Sequence, residues 1–215
     1  MSSARERILR RVRSGLKQDG PRSLDEAHAA RQHGYGAGLS PRQPWSGDPV
    51  ARFCERHENW AGTWQKLDAA ERVPNAVKEL CGTDDRLAVA DHPLLQGLEW
   101  PAAQRIANDQ AANASLTVSV ADAAIAETGT LVFCSGPTSP TGLAILPETH
   151  VVVLQAADIL DDMEAVWQHL QQRSDFPPRS LNTISGPSRT ADVEQTIQLG
   201  AHGPRRVHVL LLGKL

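Results

Sequence analysis

Apolar positions along this chain fall into two rhythms. Ile8, Leu9, Val12 and Leu16 recur at helical spacing, with arginines filling the other face. With Ser2 or Ser3 as a cap, they predict a first helix running to about Lys17. Val50 to Leu67 repeats that rhythm, with Phe53, His57, Trp60 and Trp64 as a core-facing aromatic stripe, although Trp64-Gln-Lys-Leu also reads as a short strand. Ala69 to Leu80 is a further helix, started or bent at Pro74 and ended at Gly82. Asp158 to Gln172 is the last, capped by Asp158, with Ile159, Met163, Val166, Trp167 and Leu170 as its buried face.

The second rhythm is the short, continuous apolar run. Arg86 to Ala90, Val151 to Leu154, Ser180 to Ile184 and Arg206 to Leu212 read this way. The Val209-Leu-Leu-Leu segment suits a strand buried on both faces. Runs of this type alternate with helices, which predicts an α/β single domain: a mostly parallel sheet flanked by helices. Asp19 to Asp48, rich in Gly, Pro, Ser and His, has no sustained period and reads as a connector. The expected organisation is therefore an N-terminal helix and connector over 1–49 and an α/β domain over 50–215.

The stretch from Ser115 to Gln155 departs most from a plain core pattern. Ala123 to Ala126 continues into Leu131 to Cys134, but Glu127-Thr128-Gly129-Thr130 interrupts it. A buried polar group costs roughly 1–3 kcal/mol unless it is hydrogen-bonded. Glu127 therefore either finds partners or faces a pocket, as a nucleophile, a general base or a buried structural acceptor.

Composition narrows the picture. The 215 residues are 40% hydrophobic and 22% charged, with a net charge of −3, which fits a globular chain and gives no support to nucleic-acid binding. Cys54, Cys81 and Cys134 are widely spaced, so this chain lacks the cysteine set of an iron–sulfur cluster or structural zinc site. An odd cysteine count, with no apolar run after Met1, fits a reducing cytoplasm. No apolar run approaches the ~20 residues of a membrane span, and neither GxGxxG nor GxxxxGK[ST] occurs.

In open parallel α/β sheets, ligands bind beyond the carboxyl ends of strands. Glu127 to Thr130, Ser135 to Gly142 and Ser185 to Asp192 are the polar, glycine-containing segments that would stand there. Gly129 and Gly186 would let a ligand approach the backbone, and Thr128, Thr130, Ser185, Ser188 and Thr190 would hold a phosphate or carboxylate. Alternatively, Ser188 or Thr190 caps a following helix whose dipole Asp192 and Glu194 complement. Asp192, Glu194 and His202 match no metal-ligand spacing and read as hydrogen-bonding groups. His202, between Gly200 and Gly203, either reaches a pocket carboxylate as an acid or base, or fixes its turn.

Taken in order, Ala123-Ala-Ile-Ala-Glu-Thr-Gly-Thr-Leu-Val, Leu146-Pro-Glu-Thr-His-Val, Ser185-Gly-Pro-Ser-Arg-Thr-Ala-Asp-Val-Glu and Gly200-Ala-His-Gly-Pro resemble the LUD domain of the lactate utilization protein C family. The similarity runs from about Val50 to the C-terminus and is dense after Leu116. It implies a fold like that of the NagB/RpiA/CoA-transferase group. It also implies an accessory role in oxidising L-lactate to pyruvate beside iron–sulfur partner proteins, with no cofactor in this chain. A small anionic metabolite would bind around Glu127, with His202 assisting. The competing expectation is a stand-alone enzyme or sensor for a carboxylate, phosphate or acyl-CoA compound.

Overall fold

The computed structural model describes residues 4–15, 46–82, 84–100, 105–106, 108–136, 140–190, 198–199 and 203–213. The chain divides into two units, 1–44 and 45–215. In the first, helix α1 spans Ala4–Gly15.

The second unit is built on six strands: β1 (Thr63–Leu67), β2 (Leu87–Val89), β3 (Arg105–Ile106), β4 (Leu116–Val120), β7 (Thr149–Gln155) and β12 (Arg206–Leu212). They form one sheet in the order β1-β12-β7-β4-β2-β3, and every pair is parallel. The β7–β12 ladder runs from Thr149↔Arg206 to Gln155↔Leu212, and neither strand is at an edge of the sheet. Both strands are buried almost throughout, because both faces of the sheet are covered.

The two covering layers differ. On one face Val151, Val153, Leu210, Val118 and Leu116 pack against Val73, Ala76 and Val77 of helix α3 (Val73–Leu80). On the other, Val152, Leu154, Val207, Val209 and Leu211 pack against helix α2 (Pro49–Asn59) and a second sheet. That sheet has the order β8-β5-β6-β9, from β5 (Ala123–Ile125), β6 (Thr130–Cys134), β8 (Ile159–Leu160) and β9 (Leu181–Ile184). Its alternation serves two cores. Ala124, Leu131 and Phe133 face the parallel sheet. Ala123, Ile125, Val132 and Cys134 face Val166 and Leu170 of helix α5 (Met163–Gln171). Helix α4 (Gly142–Ile145) leads into β7.

Several expectations are corrected here. The Val50–Leu67 helix stops at Asn59, because Trp60 to Gly62 turn the chain into β1, which pairs with β12. Phe53 and His57 are buried, but Trp60 is 46% exposed. Ala69–Leu80 opens with a 3-10 turn at Ala70–Arg72 before α3. Asp158 does not cap the last helix. Ile159–Leu160 pairs with β5 instead, and Asp162 caps α5 by accepting from the Ala165 N–H at 2.8 Å. Tertiary strand pairing here outweighs the helical spacing of Ile159 and Met163.

Candidate functional site

The interrupted run of β5 and β6 is a hairpin, paired antiparallel from Ala123↔Val132 to Ile125↔Thr130. Glu127, Thr128 and Gly129 form its tip, closed by the Gly129 N–H donating to the Ile125 carbonyl at 2.9 Å. The Glu127 N–H is held by the Asp161 carbonyl at 3.0 Å. The Glu127 side chain is half-buried, which fits neither a sealed structural acceptor nor a fully solvated group.

The tip is pressed against the end of α2. Gly129 has φ +67, and a Cβ there would lie 2.4 Å from the His57 backbone nitrogen and 2.6 Å from the Arg56 carbonyl carbon. Its glycine is therefore required by close backbone packing, where the sequence had suggested room for a ligand. Gly186, at φ +80, makes a similar approach: its Cβ would stand 2.6 Å from the Trp60 carbonyl oxygen. The Trp60 indole N–H donates to the Thr128 carbonyl at 3.0 Å.

His57 locks this junction from inside. Its ring stacks on Phe53 at 5.5 Å and lies 3.4 Å from the Gly129 carbonyl oxygen through Nδ1. A carbonyl only accepts, so this contact is a hydrogen bond in the tautomer that carries its proton on Nδ1. Burial pushes this imidazole below its ordinary range, opposed by the Gly129 carbonyl, Glu58 and the Val207 carbonyl. Gly62 leaves the space, since a Cβ there would meet His57 Nε2 at 2.2 Å.

Three hydroxyls run across the tip. Thr128 Oγ1 and Thr130 Oγ1 are 2.7 Å apart, and Thr130 Oγ1 and Ser185 Oγ are 2.8 Å apart. Thr130 is buried while Thr128 and Ser185 are exposed. Three hydroxyls with two bonds among them keep one proton for an outside acceptor. The chain can thus donate to an anionic oxygen at either exposed end.

The structure therefore brings Thr128, Gly129, Thr130, Ser185 and Gly186 together, with Glu127 at the same tip. Ser188 lies farther along, its N–H donating to Pro204 at 2.8 Å and its Cβ 3.1 Å from where a Gly203 Cβ would stand. Arg189–Thr190 forms β10, antiparallel to β11 (Gln198–Leu199), and the segment between them, where a following helix was expected, lies outside the described residues. Asp192, Glu194 and His202 lie outside the described residues.

The position is also corrected. The hairpin tip abuts the α2 end that feeds β1, and Ser188 bonds Pro204 just ahead of β12. Both are at the amino ends of the parallel strands. The reason is that the chain leaves the sheet after β4 and β5 doubles back across its face. His57 and Trp60 are the contributors that sequence reasoning missed. Their helical spacing was visible, but their partners lie about 70 residues away.

Other chemistry is limited. Burial pushes the Cys54 and Cys134 thiols up to about 11, with nearby carboxylates adding to it, so neither is a ready thiolate. Among the described residues, no cluster of His, Cys, Asp or Glu could hold a metal ion. No described helix is long and apolar enough to cross a membrane.

Fold and tip together define an α/β domain with a hydroxyl-lined hairpin at the amino edge of its parallel sheet. The family model described as LUD domain matches residues 65–212, and the chain belongs to the LUD domain family. It is 32% identical to lactate utilization protein C of an Exiguobacterium strain over 149 residues, covering 66% of this chain and 64% of that one. It is 30% identical to lactate utilization protein C of a Geobacillus strain, over 48% of this chain and 44% of that one. The chain thus spans less than two thirds of the length of these relatives. A crystal structure of a DUF162 family protein from Deinococcus radiodurans shares the fold, with a TM-score of 0.60 at 18% identity, covering 79% of this chain and all of that one.

Proposed function

We propose that this chain is an accessory subunit of a system that oxidises L-lactate to pyruvate. The carrying observation is membership of the LUD domain family, with relatives named lactate utilization protein C over the same region. Oxidation of a hydroxy acid to a keto acid releases two electrons and two protons. The described residues offer no cysteine set for an iron–sulfur cluster, so the electrons pass through iron–sulfur partner proteins. This chain contributes the hairpin-tip site, where the hydroxyl chain of Thr128, Thr130 and Ser185 gives its one outward proton to the carboxylate of a small hydroxy acid and Glu127 orients or deprotonates the acid's hydroxyl. The residue types also assign Ser188, Thr190 and Asp192 to the ligand and His202 to assisting acid–base work. The residue types and the hydroxyl chain support this reading.

The test is L-lactate-dependent dye reduction in extracts of cells with and without the gene. Loss on deletion and return with the wild-type gene is the expected outcome. Unchanged reduction on deletion removes the lactate reading and leaves the stand-alone enzyme or sensor, to be pursued by a carboxylate, phosphate and acyl-CoA ligand screen on the purified chain.

A further inference from the structure

Taken by itself, Ala4–Gly15 is amphipathic, and its apolar side chains are open: Ile8 is 63%, Leu9 38% and Val12 52% exposed. The segment holds five arginines against one glutamate, a net charge of +4. The whole chain carries −3, which leaves −7 for the rest. A helix of this length is marginal in water on propensity alone and gains stability by laying its apolar side on something.

The distribution of charge says what that surface is. At about 100° per residue, Ile8 and Val12 centre the apolar arc and Leu9 closes one edge. Arg11 borders Ile8, and Arg5 falls within the arc at the first turn, while Arg7 and Arg10 lie opposite. Arginine thus stands beside, within and behind the apolar contact, while the one acidic residue, Glu6, lies beyond its Leu9 edge. The complementary surface is apolar at its centre and predominantly negative around it. A continuous layer of anionic headgroups over acyl chains has that form, whereas a protein groove would need carboxylates around much of its rim. The negative remainder of the chain is repelled by such a layer, so the helix itself must make the contact.

We propose that α1 is a reversible anchor for an anionic bilayer surface, lying in the headgroup plane with Ile8, Leu9 and Val12 toward the acyl chains. Three aliphatic side chains and one short helix make a weak, salt-sensitive contact. The inference is independent of the lactate reading, and its test involves no activity.

The full-length protein is floated with vesicles of phosphatidylcholine alone and of phosphatidylcholine mixed with phosphatidylglycerol, at low and high salt. It is expected on the mixed vesicles at low salt and absent from the others. Each arginine near an anionic surface contributes about fivefold in binding, so Arg5→Glu with Arg11→Glu lowers the association constant by more than about 25-fold. Ile8→Ser with Val12→Ser also lowers it, and both variants keep the wild-type melting temperature. Failure to float with mixed vesicles at low salt overturns the proposal, as does binding unchanged in either double variant. If these variants instead abolish a lipid-free self-association seen by sedimentation, α1 is a protein contact and the proposal is wrong.

Discussion

Replacing Gly129 with alanine separates the two reasons a glycine could stand at the hairpin tip. If glycine served only ligand approach, alanine would leave the fold nearly untouched. The structure demands more. The residue sits at φ +67, where an L side chain costs roughly 1–2 kcal/mol. The added methyl also collides at 2.4 Å and 2.6 Å with the backbone of α2, which cannot swing aside as a side-chain end would. Overpacking of this kind typically adds about 1–3 kcal/mol. Together Gly129→Ala is expected to cost roughly 2–5 kcal/mol. Gly97→Ala supplies the control, because it shares the positive φ (+74) but has nothing within 4 Å of its Cβ. It should show the backbone cost alone, about 1–2 kcal/mol. Urea unfolding of both variants, at unchanged m, gives the difference directly. Equal losses for the two would refute the claim that close packing on α2 fixes this glycine.

Other expectations follow from buried groups. His150 is fully buried with a pKa lowered to about 3 by burial, and His208 is lowered to about 4 by burial, Arg206 and His57. Both bind protons more readily when unfolded, so stability is full above about pH 6.5 and falls as the pH drops toward those values, by roughly 2 kcal/mol each at about pH 5. Urea midpoints at neutral and mildly acid pH check this, and a flat profile contradicts it. Asp162→Ala removes the α5 cap and should cost about 1 kcal/mol, a melting shift of about 2–4 °C, with Asp158→Ala costing less. Asp122 accepts the Cys134 N–H at 2.7 Å and pairs with Arg173, which also forks onto Asp175 at 2.9 Å. Asp122→Ala leaves those donors short of a partner and should cost roughly 1–3 kcal/mol in calorimetry.

Much of this fold was legible in the chain. The Val209-Leu-Leu-Leu run gave a doubly buried strand because both faces of β12 are covered. The polar break at Glu127–Gly129 flagged the hairpin tip, since a charged residue followed by Thr-Gly suits a turn better than the interior of a core strand or helix. The direction of the hairpin was not legible. It depends on β5 meeting β8 and on β6 meeting β9, partners about 35 and 50 residues along the chain. For that reason the carboxyl-end rule put the candidate site at the wrong edge of the sheet. His57 looked like a core residue, which it is. Its grip on Gly129 comes from two glycines, Gly62 and Gly129, that only the fold places against its ring and backbone. Likewise, the spacing of Ile159 and Met163 imitated a helix, and strand pairing decided otherwise.

The central claim is that the hairpin tip serves lactate oxidation, and Glu127→Gln tests it most directly. The variant is returned to a deletion strain, and L-lactate-dependent dye reduction is read beside the melting temperature of the purified protein. The account expects reduction to be lost while the melting temperature stays within about 2–4 °C of wild type, the shift of roughly 1 kcal/mol. Full restoration of dye reduction by the folded variant would contradict it.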